Sequence, residues 1–127
     1  MPTALVVDDA KVIRRLLANQ LGELGYEVIE AANGQEAIGK LDRTPSVRLA
    51  LIDWNMPVMN GIECLKAIRS DPRFRALTIV MVTQETEMGY IVAALNAGAN
   101  DYIMKPFTPE IVSEKLLLLG LIDGQKT

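Results

Sequence analysis

Five short, mostly apolar runs alternate with longer segments of helical spacing, and this alternation constrains the fold more than any other feature. The runs are predicted as strands at 4–7, 27–31, 49–52, 78–83 and 101–105. Their shortness and their β-branched residues are typical of buried strands. Strands that alternate with helices form a parallel sheet covered on both faces. With right-handed crossovers, the sequence predicts a doubly wound α/β fold with five parallel strands and five helices.

Residues typical of helix ends support these boundaries. The first helix repeats apolar residues every three or four positions, including Val12 and Leu16, which are expected to face the core. Gly25 is predicted to end this helix, since glycine readily adopts the left-handed conformation of a C-terminal stop. The predicted N-caps are Asp9 for the first helix, Asn33 for the second, Asn60 with Glu63 for the third and Thr108 for the last.

The length predicts a single domain, and the cysteine content excludes an intrachain disulfide. The chain has 127 residues, enough for a single domain with a hydrophobic core. We expect one domain over 1–127, with its core at 4–120 and a short tail at 121–127. Cys64 is the sole cysteine, so no intrachain disulfide can form, and it is expected to be a small core residue.

Charge and hydropathy exclude several classes of function. The net charge is −3 and the basic residues are scattered, which argues against binding to nucleic acid. The longest apolar stretch, 116–122, is far shorter than the roughly 18 residues of a membrane span. The first residues lack the basic segment of a signal peptide, so a cytoplasmic protein without membrane insertion is expected. Histidine is absent, which excludes histidine-based catalysis and histidine metal ligands.

Polar side chains lie where the predicted strands end. Asp8 and Asp9 follow the first strand, Asp53 follows the third, Thr83 ends the fourth and Lys105 ends the fifth. The carboxyl ends of parallel strands meet at one edge of a sheet, where ligands of such folds bind. Three carboxylates, one hydroxyl and one ammonium are therefore expected to converge.

A divalent cation would relieve the repulsion among these acids. Like charges that crowd together raise one another's pKa values, and Mg²⁺ prefers carboxylate, water and phosphate oxygens. Three acids, one Mg²⁺ and Lys105 sum to zero formal charge. Such a site can accept a phosphoryl group, whose oxygens Lys105 and Thr83 would contact.

The residues at these positions match a known family over 4 to about 120. The chain resembles bacterial response-regulator receiver domains, most closely the single-domain chemotaxis type, the CheY class. The resemblance implies the flavodoxin-like strand order 2-1-3-4-5. The motifs that carry it are Asp8-Asp9, "DWNMP" from Asp53 with Gly61 beyond it, Thr83, Tyr102 and "KPF" from Lys105.

The resemblance implies roles for the acidic residues. Asp53 matches the nucleophile that takes a phosphoryl group from the phosphohistidine of a partner histidine kinase. Asp8 and Asp9 match the acidic pair of the metal site. Asp9 is the expected direct Mg²⁺ ligand, together with Asp53 and the backbone carbonyl of Asn55.

The resemblance also implies a switch. Thr83 would move toward the phosphoryl group, and the ring of Tyr102 would turn into the vacated space. Lys105 would contact the phosphoryl group, and the peptide bond between Lys105 and Pro106 is expected to be cis.

Three residues are expected to modulate the rim of the site. Gln84 stands where receivers usually have a smaller residue, so it is predicted to slow the gain or the loss of phosphate. Asn55 and Glu85 match the fast-cycling chemotaxis type. Glu87 and Met88 stand where enteric chemotaxis regulators carry lysines. This change falls on the expected output surface, so the sequence supports phosphorylation more strongly than it supports a flagellar-motor partner.

The favoured function is a phosphorylation-controlled binding module that catalyses only its own phosphotransfer and dephosphorylation. Its expected partners are a histidine kinase, a downstream protein such as a flagellar motor switch component, and a phosphatase. A phosphorelay intermediate and a stand-alone receiver that regulates another enzyme are the alternatives. A Mg²⁺-dependent aspartyl-phosphate phosphatase is a remote one, since 53–55 faintly resembles a DxD motif. A flavin-binding protein would share the fold, but Asp8 and Asp9 would repel its phosphate.

Overall fold

A computed structural model describes residues 1–84 and 88–122 and shows strands alternating with helices. The strands are β1 (Thr3–Val7), β2 (Glu27–Ala31), β3 (Leu49–Asp53), β4 (Thr78–Thr83) and β5 (Asp101–Met104). The helices are α1 (Lys11–Glu23), α2 (Gly34–Arg43), α3 (Gly61–Arg69), α4 (Met88–Asn96) and α5 (Pro109–Leu118), with a 3₁₀ turn at Pro72–Phe74.

The strands form one parallel sheet in the order β2-β1-β3-β4-β5, which confirms the predicted fold and strand order. Helices α1 and α5 pack on one face of the sheet through Leu17, Leu21, Val112 and Leu116. Helices α2, α3 and α4 cover the other face, where Cys64 is buried in the core as predicted. Burial raises the pKa of the Cys64 thiol to about 12, so the thiol stays protonated.

The predicted caps hold for α2, α3 and α5 and fail for α1. The side chains of Asn33, Asn60 and Thr108 accept hydrogen bonds from the first turns of their helices, and Asn60 forms a complete capping box with Glu63. The N-cap of α1 is Ala10 rather than Asp9. The N-cap side chain makes no capping hydrogen bond. The carboxylate of Asp8 accepts a hydrogen bond from the Ala10 N–H at 2.8 Å, and the Asp9 side chain is exposed.

The apolar face predicted for α1 is broader than the face of the helix that is buried against the sheet. Val12 and Leu16 are 73% and 55% exposed, whereas Leu17 and Leu21 are fully buried. At 3.6 residues per turn, Leu16 and Val12 lie about 100° and 140° around the helix from Leu17. A helix that packs on a sheet buries one stripe, and both residues fall outside it.

None of the helices within residues 1–84 and 88–122 combines the length and the apolar character that crossing a membrane requires.

Val58 lies in the loop between β3 and α3 with φ = 70°, and its side chain is exposed. A left-handed backbone strains a β-branched residue by about 1 kcal/mol or more, whereas asparagine tolerates it. Val58→Asn should therefore raise the free energy of unfolding, measured with urea, by about 1 kcal/mol. Val12→Asn is the matched control, an exposed valine in a right-handed helix that should show no gain. Equal changes in the two variants would contradict the strain explanation.

Candidate functional site

Two buried carboxylates and one ammonium form the centre of the site. Asp8 follows β1 directly and Asp53 ends β3, and both side chains are almost completely buried. The Nζ of Lys105 donates to Asp53 Oδ1 at 2.9 Å and to Asp8 Oδ2 at 3.2 Å. Although β5 ends one residue earlier than predicted, the Lys105 N–H still donates to the carbonyl of Thr83 at 2.8 Å, which holds Lys105 in line with the strand.

Asp9 adds a third carboxylate. Asp8, Asp9 and Asp53 each offer an oxygen atom, and these three atoms lie within 4.8 Å of one another. Asp9 reaches the cluster from the solvent side, while the other two lie beneath it. An all-oxygen donor set with an open side fits a hard divalent cation that keeps part of its water shell.

The carboxylates and Lys105 shift one another's ionisation. Burial raises the pKa of Asp53 and the charges of Asp8 and Asp9 raise it further, whereas the hydrogen bond from Lys105 opposes the shift. Burial alone would lower the pKa of Lys105, but its hydrogen bond to Asp53 and the charges of Asp53 and Asp8 raise it above its usual value. Lys105 is therefore charged at neutral pH, and the cluster carries excess negative charge.

The raised pKa of Asp53, which is caused first by burial and then by the nearby charges of Asp8 and Asp9, predicts that Asp53→Asn stabilises the metal-free protein. An acid with a raised pKa weakens folding as it ionises, so its penalty is absent below the usual value of 3.8 and complete above the raised value. With EDTA at pH 7, the variant should unfold with a higher free energy, by about 1.4 kcal/mol per unit of pKa difference. Urea denaturation at pH 7 and pH 3.5 should show the gain at neutral pH only. A gain that did not change with pH would contradict this cause.

Thr83 and Tyr102 lie on neighbouring strands beside this centre. Asp53 pairs with Val82 in the register of β3 and β4, so the buried Thr83 lies one residue beyond the level of Asp53. On β5, Tyr102 pairs with Met81, and Met104 pairs with Thr83. Tyr102 therefore lies two residues before the level of Thr83 in the sheet. Tyr102 is half-buried against the core on the α2–α4 side of the sheet.

A lysine covers the ring of Tyr102. The Nζ of Lys115 lies 5.2 Å from the ring centroid and donates to Asp101 Oδ1 at 3.1 Å. The same oxygen of Asp101 accepts the N–H of Tyr102 at 2.8 Å. Asp101 and Lys115 therefore hold the tyrosine in its present position.

A cavity of about 590 Å³ opens above the carboxylates. Among its lining residues are Ile13, Leu16 and Phe107, which make one wall apolar. The peptide bond between Lys105 and Pro106 is cis, as the resemblance implied. The predicted site residues that line this cavity are Asp8, Asp9, Asp53, Asn55, Gln84, Lys105 and Pro106.

The rim is only partly described. Asn55 and Gln84 both line the cavity, and their effect on phosphorylation rates stays a prediction. Glu85 and Glu87 lie outside the described residues.

Sequence reasoning missed several contacts that support the site. Trp54, next to Asp53, is nearly buried and meets the edge of Tyr90 on α4, with ring centroids 5.7 Å apart and an interplanar angle of 87°. Arg14 on α1 donates to the backbone carbonyl of Asp8 at 2.7 Å. No local pattern distinguishes Arg14 or Tyr90 from ordinary surface residues, because their partners lie on distant segments.

Gly61, which belongs to the receiver motif, lies where a side chain would collide with the backbone of β3. A Cβ at this position would meet the backbone oxygen of Asp53 and would lie 2.7 Å from the Cα of Trp54. The N–H of Gly61 also donates to the carbonyl of Trp54 at 2.8 Å. The start of α3 is therefore packed directly on the backbone that carries Asp53.

Comparison with known families agrees with this geometry. The sequence pattern of the family described as "Response regulator receiver domain" matches residues 4–117. The chain belongs to the response regulator receiver family.

Related receivers match this one over nearly their whole length. The chemotaxis protein CheY1 of Helicobacter pylori is 48% identical over 121 residues, which cover 94% of this chain and 98% of that protein. The structure of the chemotaxis protein CheY4 of Vibrio cholerae is 36% identical with a TM-score of 0.88, over 93% of this chain and 98% of that one. This receiver is therefore of the CheY type, a module of two-component signalling and chemotaxis.

A third relative was solved as a complex. A chain of the CheX–CheY–BeF3–Mg²⁺ complex from Borrelia burgdorferi has a TM-score of 0.88 at 26% identity. The match covers 94% of this receiver and 89% of that chain. Receivers of this family are signalling modules.

Proposed function

We propose that this receiver is a cytoplasmic switch in which Asp53 accepts a phosphoryl group from a histidine kinase. The observation that carries this proposal is the contact of the Asp53 carboxylate with Lys105 Nζ, inside a cluster of three acids at the end of β3. A buried carboxylate in an acidic cluster destabilises a fold, which suggests a chemical use rather than a structural one. The cavity above Asp53 leaves room for the donor.

The chain's own residues would share the work of the transfer. An Oδ atom of Asp53 attacks phosphorus while the bond from phosphorus to the donor's imidazole nitrogen breaks. Lys105 and Thr83 would meet the oxygens of the incoming group with a charge and a hydroxyl, stabilising its negative charge.

Mg²⁺ fits the donor set and would be held by Asp9, Asp53 and the backbone carbonyl of Asn55, with Asp8 behind them. When bound, it would offset the repulsion among the acids and the phosphoryl oxygens. The fit rests on the three oxygens within 4.8 Å of one another and on their open side. A related receiver from Borrelia burgdorferi was solved in a complex that contains CheX, BeF3 and Mg²⁺, which supports Mg²⁺ as the cation.

Thr83 and Tyr102 would transmit phosphorylation of Asp53 to the surface that binds a partner. A phosphoryl group on Asp53 would draw the Thr83 hydroxyl toward it, and the ring of Tyr102 would leave Lys115 and turn inward. The surface of β5 and its flanking helices would then bind a downstream partner, such as a component of the flagellar motor switch. A phosphatase would return the receiver to its resting state.

Intact-mass spectrometry tests the phosphorylation step. After incubation with acetyl phosphate and Mg²⁺, we expect the mass of one phosphoryl group to be added, with loss of the adduct in EDTA and in Asp53→Asn. Asp42→Asn is the matched control, since Asp42 is an exposed acid that pairs with Arg73 and does not line the cavity. No adduct on the parent protein, or an equal adduct on Asp53→Asn, would contradict the proposal.

A further inference from the structure

Arg14 makes an unusually well-buried set of contacts for an arginine on a surface helix. Its Nη1 donates to the backbone carbonyl of Asp8 at 2.7 Å, and its Nε donates to Glu30 Oε1 at 2.9 Å. The side chain is only 15% exposed, whereas that of the next residue, Arg15, is 59% exposed. Arg15 touches Glu30 Oε2 at 3.3 Å and makes no contact with Asp8 among the described hydrogen bonds.

Glu30 is itself fixed within the sheet. It lies on β2 opposite Val6 of β1, one residue before the end of the strand. Its backbone carbonyl accepts a hydrogen bond from Lys40 Nζ on α2 at 2.7 Å. Arg14 therefore links α1 to β2. Its hydrogen bond to Glu30 holds the guanidinium in place where it contacts the Asp8 carbonyl.

The contact completes the hydrogen bonding of Asp8. The Asp8 N–H donates to the carbonyl of Ala31 at 3.1 Å, and Oδ1 accepts from the Ala10 N–H. Oδ2 accepts from Lys105, and the backbone carbonyl accepts from Arg14. That carbonyl belongs to the planar peptide unit that joins Asp8 to Asp9. Arg14 therefore fixes the orientation of this peptide, and with it the direction of the exposed Asp9 side chain.

From these contacts we infer that Arg14 is a positioning residue that holds the Asp8–Asp9 peptide, so that Asp9 converges with Asp8 and Asp53 on a divalent cation. The inference rests on the proposed Mg²⁺ site. Glu30 neutralises the charge of Arg14, so the effect is one of geometry. Residues that orient metal ligands in this way commonly change metal affinity by 10- to 100-fold when they are removed.

Titration with Mg²⁺, followed by the fluorescence of the sole tryptophan, Trp54, tests the inference. In Arg14→Ala, the Kd for Mg²⁺ should rise about tenfold. Arg14→Lys keeps one donor and should fall between this variant and the parent. Arg15→Ala is the matched control and should bind Mg²⁺ within about twofold of the parent, because an exposed charge contributes little.

Kinetics separate positioning from general damage. At saturating Mg²⁺, Arg14→Ala should be phosphorylated by acetyl phosphate at nearly the parent rate, with its defect confined to the Mg²⁺ dependence. Glu30→Gln serves as a second variant if Arg14→Ala does not fold. It leaves the guanidinium in place but loosens it, and should raise the Kd for Mg²⁺ by a few-fold.

Three outcomes would overturn the inference. A folded Arg14→Ala with parent-like affinity for Mg²⁺ would do so, as would an equal loss of affinity in Arg15→Ala, which would indicate a general charge effect. A parent protein that binds no Mg²⁺ would instead overturn the proposed metal site, and this inference with it.

Discussion

Gly61→Ala should lower the free energy of unfolding by about 3 kcal/mol, at the upper end of the cost of overpacking. The new methyl group would meet the backbone oxygen of Asp53, the last residue of β3, and would lie 2.7 Å from the Cα of Trp54, the residue after it. These are backbone atoms, so no side-chain rotation can relieve the contact. The start of α3 or the end of β3 must move, and the Asp53 carboxylate moves with it.

Gly39→Ala is the matched control for this prediction. Gly39 lies inside α2, and a Cβ built there meets nothing within 4 Å. Because alanine is the better helix former, this variant should gain about 0.5–1 kcal/mol. Urea denaturation measures both changes. A Gly61→Ala variant as stable as the parent would show that the loop adapts freely and that the packing on Asp53 is loose.

Lys105→Met should slow phosphorylation by acetyl phosphate about 100-fold at saturating Mg²⁺, the scale of losing one preorganised donor to developing charge. Lys105 Nζ is the hydrogen-bond partner of both Asp53 and Asp8, at 2.9 and 3.2 Å. Methionine is an unbranched side chain one heavy atom shorter than lysine, and it removes the positive charge. The incoming phosphoryl oxygens would then meet three carboxylates without the ammonium that faces them.

The raised pKa of Lys105 adds a condition to this prediction. Such a lysine stabilises the fold fully below its usual pKa of 10.5, and the contribution is lost only as pH rises through the raised value. Lys105 therefore keeps its positive charge throughout the neutral range, where the two rates are compared. Lys66→Met, which removes an exposed charge on α3, should leave the rate unchanged. An undiminished rate in Lys105→Met would remove Lys105 from the transfer step.

The strand-end residues could be predicted from sequence because two simple rules place them. Short apolar runs identify the strands, and the carboxyl ends of parallel strands share one edge. Asp8, Asp53 and Lys105 followed directly, and the structure joins them by hydrogen bonds. Thr83 was likewise placed at the end of β4, beside the level of Asp53.

Contacts that depend on tertiary structure could not be predicted in this way. Asp9 has the residue type of an N-cap, but Asp8 takes the Ala10 N–H because the end of β1 directs its carboxylate there. No local pattern distinguishes Arg14 from a solvent-facing charge, since only the pairing of β1 with β2 brings Glu30 within its reach. The contact of Arg14 with Glu30 depends on the relative placement of α1 and β2, which a local pattern does not contain.

The position of the phosphoryl group is the most direct test of Asp53 as the acceptor. After reaction with acetyl phosphate and Mg²⁺, borohydride reduction converts an aspartyl phosphate to homoserine, which peptide mapping then locates. We expect homoserine at position 53 and at no other acid, in an amount that matches the phosphoryl group seen by intact mass. Homoserine at position 8 or 9 instead, or an adduct with no reduced aspartate, would contradict the assignment of Asp53 as the phosphoacceptor.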